Sequence, residues 1–236
     1  PTRRSSDLIN LEGAKIDDLL LLTHRTALAK DSAPVRLFAP SGTKDAYFAR
    51  FGWAGTGVTV PDDKTVWTPS GNKLTPTTPV TLSWTNSLNQ KFDIALSIDE
   101  NYMITAKQTF TNGGAAPVQI ANFALLSRTG KPADSTKGGS IFTHIHIGPM
   151  GVFDEKPNYD WGYVDVEENK GETSFTSTGG WLGFTDKYWL GALIPDQKTP
   201  VSAKFRASGD VYQAQVIPTR YTSVAPGAVL NSGSRL

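Results

Sequence analysis

The chain has no cysteine among its 236 residues, which removes disulfides, thiolate metal sites and cysteine nucleophiles together. Long apolar runs are missing too. The aliphatic run Leu19-Leu20-Leu21-Leu22 is bounded by Asp17-Asp18 and His24-Arg25, far short of the roughly 20 apolar residues that cross a bilayer. No signal peptide or transmembrane helix is therefore expected in these residues, and any membrane anchor would lie outside them. An excess of one charge is absent as well. Lys+Arg number 23 against Asp+Glu 22, and no basic tract alternates with aromatics, so nucleic acid is a poor partner for this chain. No stretch of three helical turns has a convincing 3.6-residue period, and no internal repeat is visible. The motifs Gly55-Thr56-Gly57, Gly113-Gly114 and Gly138-Gly139 open no helix, so they form no phosphate cradle. A Gly-x-Ser-x-Gly elbow is also missing, and no residue stands out as catalytic or cofactor-binding.

What remains is turn chemistry and alternation. With 22 glycines and 15 prolines, the chain is cut into short segments. Phe92, Ile94, Leu96 and Ile98 alternate with Asp93, Ala95 and Ser97, and the same period runs from Tyr102 through Ile104 and Ala106 to Phe110. Each stretch reads as a strand with one buried face, and the short interval between them makes a hairpin. Segments 8–11, 35–38, 47–53, 117–127, 141–147, 159–166, 173–176, 201–207 and 211–217 add further strands, the last two joined by a turn at Ser208-Gly209-Asp210. The stretch 179–195 gathers Trp181, Phe184, Tyr188 and Trp189 among four glycines, and reads as a core hairpin turning at Thr185-Asp186-Lys187. The sum is an all-β chain, a large antiparallel β-sandwich with at most short helices. A disordered lead over residues 1–7, a single domain over 8–226 and a C-terminal tail over 227–236 complete the expected organisation.

Chemistry is sparse. His144 and His146 stand two apart in a predicted strand, on one face, and with Asp165 or Glu167 as a third ligand they would suit zinc. The plainer reading is that this strand buries Ile145 and Ile147 and exposes its histidines, so no metal site is assigned. Two aromatic series are candidate partner surfaces: Tyr47, Phe51 and Trp53, and Tyr159, Trp161 and Tyr163, whose period of two would cover one face of a strand. Core stripes are the plainer reading of both.

Four ordered segments carry a resemblance. Residues 9–19, 33–42 and 47–53, followed by 179–195, together with the end Ser234-Arg235-Leu236, resemble the large periplasmic domain of the YidC/Oxa/Alb family of membrane-protein insertases, in its α-proteobacterial type. The resemblance implies a β-supersandwich similar to galactose mutarotase. It also implies a non-catalytic scaffold or interaction module without cofactor, held at the bacterial inner membrane by flanking helices outside these residues, with the domain in the periplasm and residues 227–236 leading to the second of those helices. The implied partners are the Sec translocon, its SecDF accessory proteins and nascent membrane proteins. A periplasmic carbohydrate-binding or sugar-modifying domain is the alternative that the implied fold also serves.

Overall fold

The computed structural model describes residues 9–29, 31–132, 135 and 146–236. One layer is an antiparallel sheet in the order β1 (Ile9–Asn10), β2 (Lys15–Ile16), β5 (Tyr47–Thr56), β10 (Val118–Thr129), β17 (Val211–Pro218), β16 (Pro200–Ser208) and β13 (Glu172–Thr178), with β18 (Thr222–Val224) also on β10. Its central strand β10 covers the predicted strand 117–127 from Val118 onward. One face of this sheet is continuous core, because the strand period aligns Ala49, Phe51 and Trp53 of β5 with Leu126, Ala124 and Asn122 of β10.

That face is covered by two smaller sheets. At one end lies β19 (Val229–Arg235), β9 (Ile104–Asn112), β8 (Gln90–Ile98), β7 (Val80–Thr85) and β6 (Thr68–Pro69). The predicted hairpin is here, with Ile98 opposite Ile104 and Phe92 opposite Phe110. Trp53 meets Phe92 edge-on at 5.2 Å, and the buried Gln108 amide donates to the Gly52 carbonyl at 2.8 Å. At the other end lies β12 (Lys156–Asn158), β11 (Gly148–Phe153), β14 (Trp181–Thr185) and β15 (Leu190–Leu193). Phe153 stacks on Phe175 of the large sheet at 4.2 Å, and Phe184 lies 6.0 Å from Phe205. A separate hairpin, β3 (Leu19–Arg25) with β4 (Pro34–Phe38), adds Phe38 to the core. Among the described residues the two covering sheets meet at one bridge, where Ile194 and Arg235 exchange both backbone hydrogen bonds at 2.8 Å.

The segment 179–195 forms its hairpin as expected, β14 against β15, closed by a turn in which the Asp186 N–H donates to the Trp189 carbonyl at 2.7 Å. Its glycines are explained by close approach: a Cβ at Gly183 would run into the Gly191 carbonyl of the paired strand.

Three expectations are corrected. Residues 163–166 of the predicted strand 159–166 are helical, part of α1 (Tyr163–Glu168), with Tyr163 and Val166 three residues apart on its buried side. The Gly162 N–H donates to the Asp165 carboxylate at 2.6 Å, tying the first turn. The tail 227–236 is not an appendage, since β19 pairs along most of β9 and Leu236 exchanges backbone bonds with Ile104. Its polar residues hide a half-buried face at Leu230, Ser232 and Ser234. Third, His146 and Ile147 of the predicted strand 141–147 lie outside any strand, and β11 starts only at Gly148. Residues 141–145 of that prediction, and the lead 1–7, lie outside the described residues.

Candidate functional site

The structure separates the six aromatic candidates. Tyr47, Phe51 and Trp53 are 6%, 2% and 3% exposed, because their spacing of two and four along β5 turns all three toward the covering sheets. Trp53 is held between Trp67 and Phe92. Tyr163 is 3% exposed and packs against Phe184 and Tyr212. These four are core, and the stripe reading of 159–163 fails because the chain turns helical after Gly162. Tyr159, by contrast, is 58% exposed, beside the half-buried Trp161 and the His146 ring at 6.5 Å.

Where the large sheet, α1 and the β14–β15 turn meet, a charge is buried that the sequence did not announce. The Arg128 guanidinium donates through Nη1 to Asp186 Oδ1 at 2.7 Å and to the Tyr163 hydroxyl at 3.1 Å. It also lies over the rings of Tyr47 at 5.1 Å and Tyr163 at 5.7 Å, a geometry in which ring faces attract a cation. Burial pushes both phenols up, well beyond the ordinary tyrosine range, against the opposing pull of Arg128. The Tyr47 hydroxyl has no hydrogen-bond partner and sits over Gly191. Four elements are thus pinned to one guanidinium. The sequence signal was faint: Arg128 is the charged residue at an inward position of β10.

The residues weighed for metal binding are placed apart in function. The His146 Nε2 lies 2.9 Å from the Pro149 carbonyl, to which it donates in the tautomer protonated there. Asp165 caps α1. Glu167 pairs with Lys131 at 2.7 Å and accepts from the Tyr212 hydroxyl, contacts that hold its carboxyl below the usual range. His144 lies outside the described residues, among which no group of three or more metal-ligating side chains is assembled. A cleft of about 100 Å³ opens between β19 and the segment after β15, floored by Asn122, Val201 and Val216. It is smaller than the roughly 300 Å³ at which small-molecule sites begin. No helix among the described residues is long and apolar enough to cross a membrane.

Two β layers, a core filled by the aromatics that looked available, and an exposed tyrosine beside a half-buried tryptophan define a class: an extended β domain that presents surfaces. The family emerges from comparison. The model of the YidC periplasmic domain matches residues 6–236, and this chain belongs to that family. The chain is 41% identical over 209 residues to the membrane protein insertase YidC of Zymomonas mobilis subsp. mobilis, covering 87% of this chain and 35% of that one. It is 42% identical over 229 residues to the insertase YidC of Nitrobacter hamburgensis, covering 94% and 37%. The chain therefore spans little more than a third of the length of these relatives. The crystal structure of the Slr1438 protein from Synechocystis sp. PCC 6803 shares the fold, with a TM-score of 0.54 at 8% identity over 100% of this chain and 94% of that one. As a member of the family the chain is a non-catalytic domain of the bacterial periplasm.

Proposed function

We propose that this domain is the scaffold and interaction module of an inner-membrane insertase, acting during insertion and folding of membrane proteins alone or with the Sec translocon and its SecDF accessory proteins. The observation that carries the reading is the family match over residues 6–236, joined to relatives that are membrane protein insertases. The same match favours it over a carbohydrate-binding role. In this reading residues 8–226 together with the β19 tail form one β-supersandwich of the galactose-mutarotase type. Support for that arrangement is the single large sheet covered on one face by two smaller ones.

The contact surface in this proposal is centred on Tyr159, the one aromatic candidate the core leaves exposed, with Trp161, half-buried against the core, at its margin. A photo-crosslinker placed at Tyr159 of the full-length protein in membranes should capture a Sec component or a nascent membrane protein. Tyr159→Ala should lower that capture severalfold while shifting stability by no more than about 0.5 kcal/mol, the usual range for an exposed site. Normal insertion and normal Sec association by the variant would remove this surface. Normal insertion by a protein lacking 9–236 altogether would remove the role.

A further inference from the structure

Among the described residues, the junction of the two covering sheets leaves one sheet edge open in a defined register. In an antiparallel pair, residues alternate in the edge toward which they point their N–H and C=O. Leu236 exchanges both bonds with Ile104 of β9, so Arg235 faces the other edge, where it exchanges both bonds with Ile194. On β15 the Trp189 carbonyl bonds across to Asp186, so Gly191 and Leu193 point to β14, while Leu190, Ala192 and Ile194 point away from it. Ile194 is satisfied by Arg235. Among the described residues, the backbone groups of Leu190 and Ala192 make no hydrogen bond. Leu190 is 45% exposed, on an edge strand rich in apolar residues.

The bridge fixes which strand fits this edge. Continuing the Ile194–Arg235 register, the first residue after Leu236 stands opposite Ala192 and the third opposite Leu190. Both would point their backbone groups at the open edge, as Arg235 does. On the other side β9 begins at Ile104, and the chain before it turns away through Tyr102 at φ +67°, so among the described residues the ladder in reach past Leu236 is β15. Leu193, fully buried, and Leu236, packed against the core, already flank the junction. The present chain spans 35–38% of its relatives' length, which leaves room for such a continuation.

We propose that the β15 edge at Leu190 and Ala192 is the docking site for the polypeptide beyond Leu236, which extends β19 by two or three residues and joins the two covering sheets into one. The joint between this domain and the next part of the polypeptide is then a stiff strand and not a free tether. Such a strand would pass motion or load directly into the hairpin that carries Asp186.

The test compares the chain ending at Leu236 with the same chain extended by about eight native residues, enough to reach past Leu190 at about 3.3 Å per residue. Amide exchange at Leu190 and Ala192 should be slower in the longer chain by on the order of 100-fold, the mark of joining a sheet and not of a frayed end. The longer chain should also melt higher. Ala192→Pro should abolish that gain while leaving the shorter chain's melting point nearly unchanged, because the lost N–H faces away from β14. Equal exchange at both amides in the two chains would overturn the proposal. So would protection that appears only when a second protein is added, since the edge would then take its strand from elsewhere.

Discussion

A phenol can sit in a core and still be a liability, and Tyr47 is the case here. Its ring contributes to the site, as a face for Arg128 and an edge for Phe38 at 4.9 Å, but its buried hydroxyl has no partner. Tyr47→Phe keeps the ring and removes the unpaired group, so it should raise stability by about 1 kcal/mol. Gly191→Ala should destabilise, because the new methyl meets that hydroxyl, and Tyr47→Phe should rescue part of the loss. Urea unfolding of the two single variants and the double variant checks this; a loss of more than about 1 kcal/mol in Tyr47→Phe would mean the hydroxyl is paired after all. The raised phenols also set a pH dependence. Unfolded tyrosines release their protons near about 10, whereas folded Tyr47 and Tyr163 hold theirs to higher pH. The unfolded state then binds fewer protons, so the stability these groups supply is complete below that pH and lost as pH rises above it. Tyr163→Phe should flatten the alkaline loss; an unchanged slope would contradict it.

Elements in this protein are locked to one another by side chains that were not conspicuous along the chain. Arg128 on β10 reaches the β14–β15 turn through Asp186 and α1 through Tyr163, with 12% of the arginine side chain exposed and 30% of the aspartate. Asp186→Ala strands a cation in a largely buried position, and should cost about 3 kcal/mol. The double change Arg128→Met with Asp186→Asn should cost clearly less than the sum of its single changes, because no unpaired charge remains. Additive losses in thermal or urea unfolding would show that the pair contributes no coupling. Helix α1 belongs to the same scale. The aromatic alternation of 159–163 suggested a strand, but Gly162 followed by Asp165 is a short capping signal, and burying Tyr163 against Phe184 and Tyr212 decided for the helix.

For the molecule as a whole, the large sheet is the common floor of both covering sheets. Its β5 carries Trp53 under one of them and Tyr47 under the other. Buried Asn112 binds further across layers, its amide donating to the Val224 and Ala116 carbonyls at 2.9 Å and its carbonyl accepting from Gln90 at 3.2 Å. Neither covering sheet can leave without exposing core on the shared floor, so the domain should unfold in a single transition. Tryptophan fluorescence, which samples Trp53, Trp67 and Trp84 near one end and Trp161, Trp181 and Trp189 near the other, should coincide with far-ultraviolet dichroism through a urea titration. Two separated midpoints would show two cooperative units.

The all-β character, the β8–β9, β16–β17 and β14–β15 hairpins and the family lay in the sequence, because alternation and turn residues are local and β-strand geometry makes them a period of two; β7, β11 and β19, whose residues alternate weakly, did not. Which face of a strand is covered is not local. Tyr47, Phe51 and Trp53 read more plainly as core stripe than as surface, but only the two covering sheets decided it, and the partner of β19 is β9, more than a hundred residues away in the chain. Arg128 and Asp186, 58 residues apart, carried no mark of their pairing either. Charge pairing, burial and the open edge of β15 depend on contacts between segments distant in the chain, and only the tertiary structure brings those segments together.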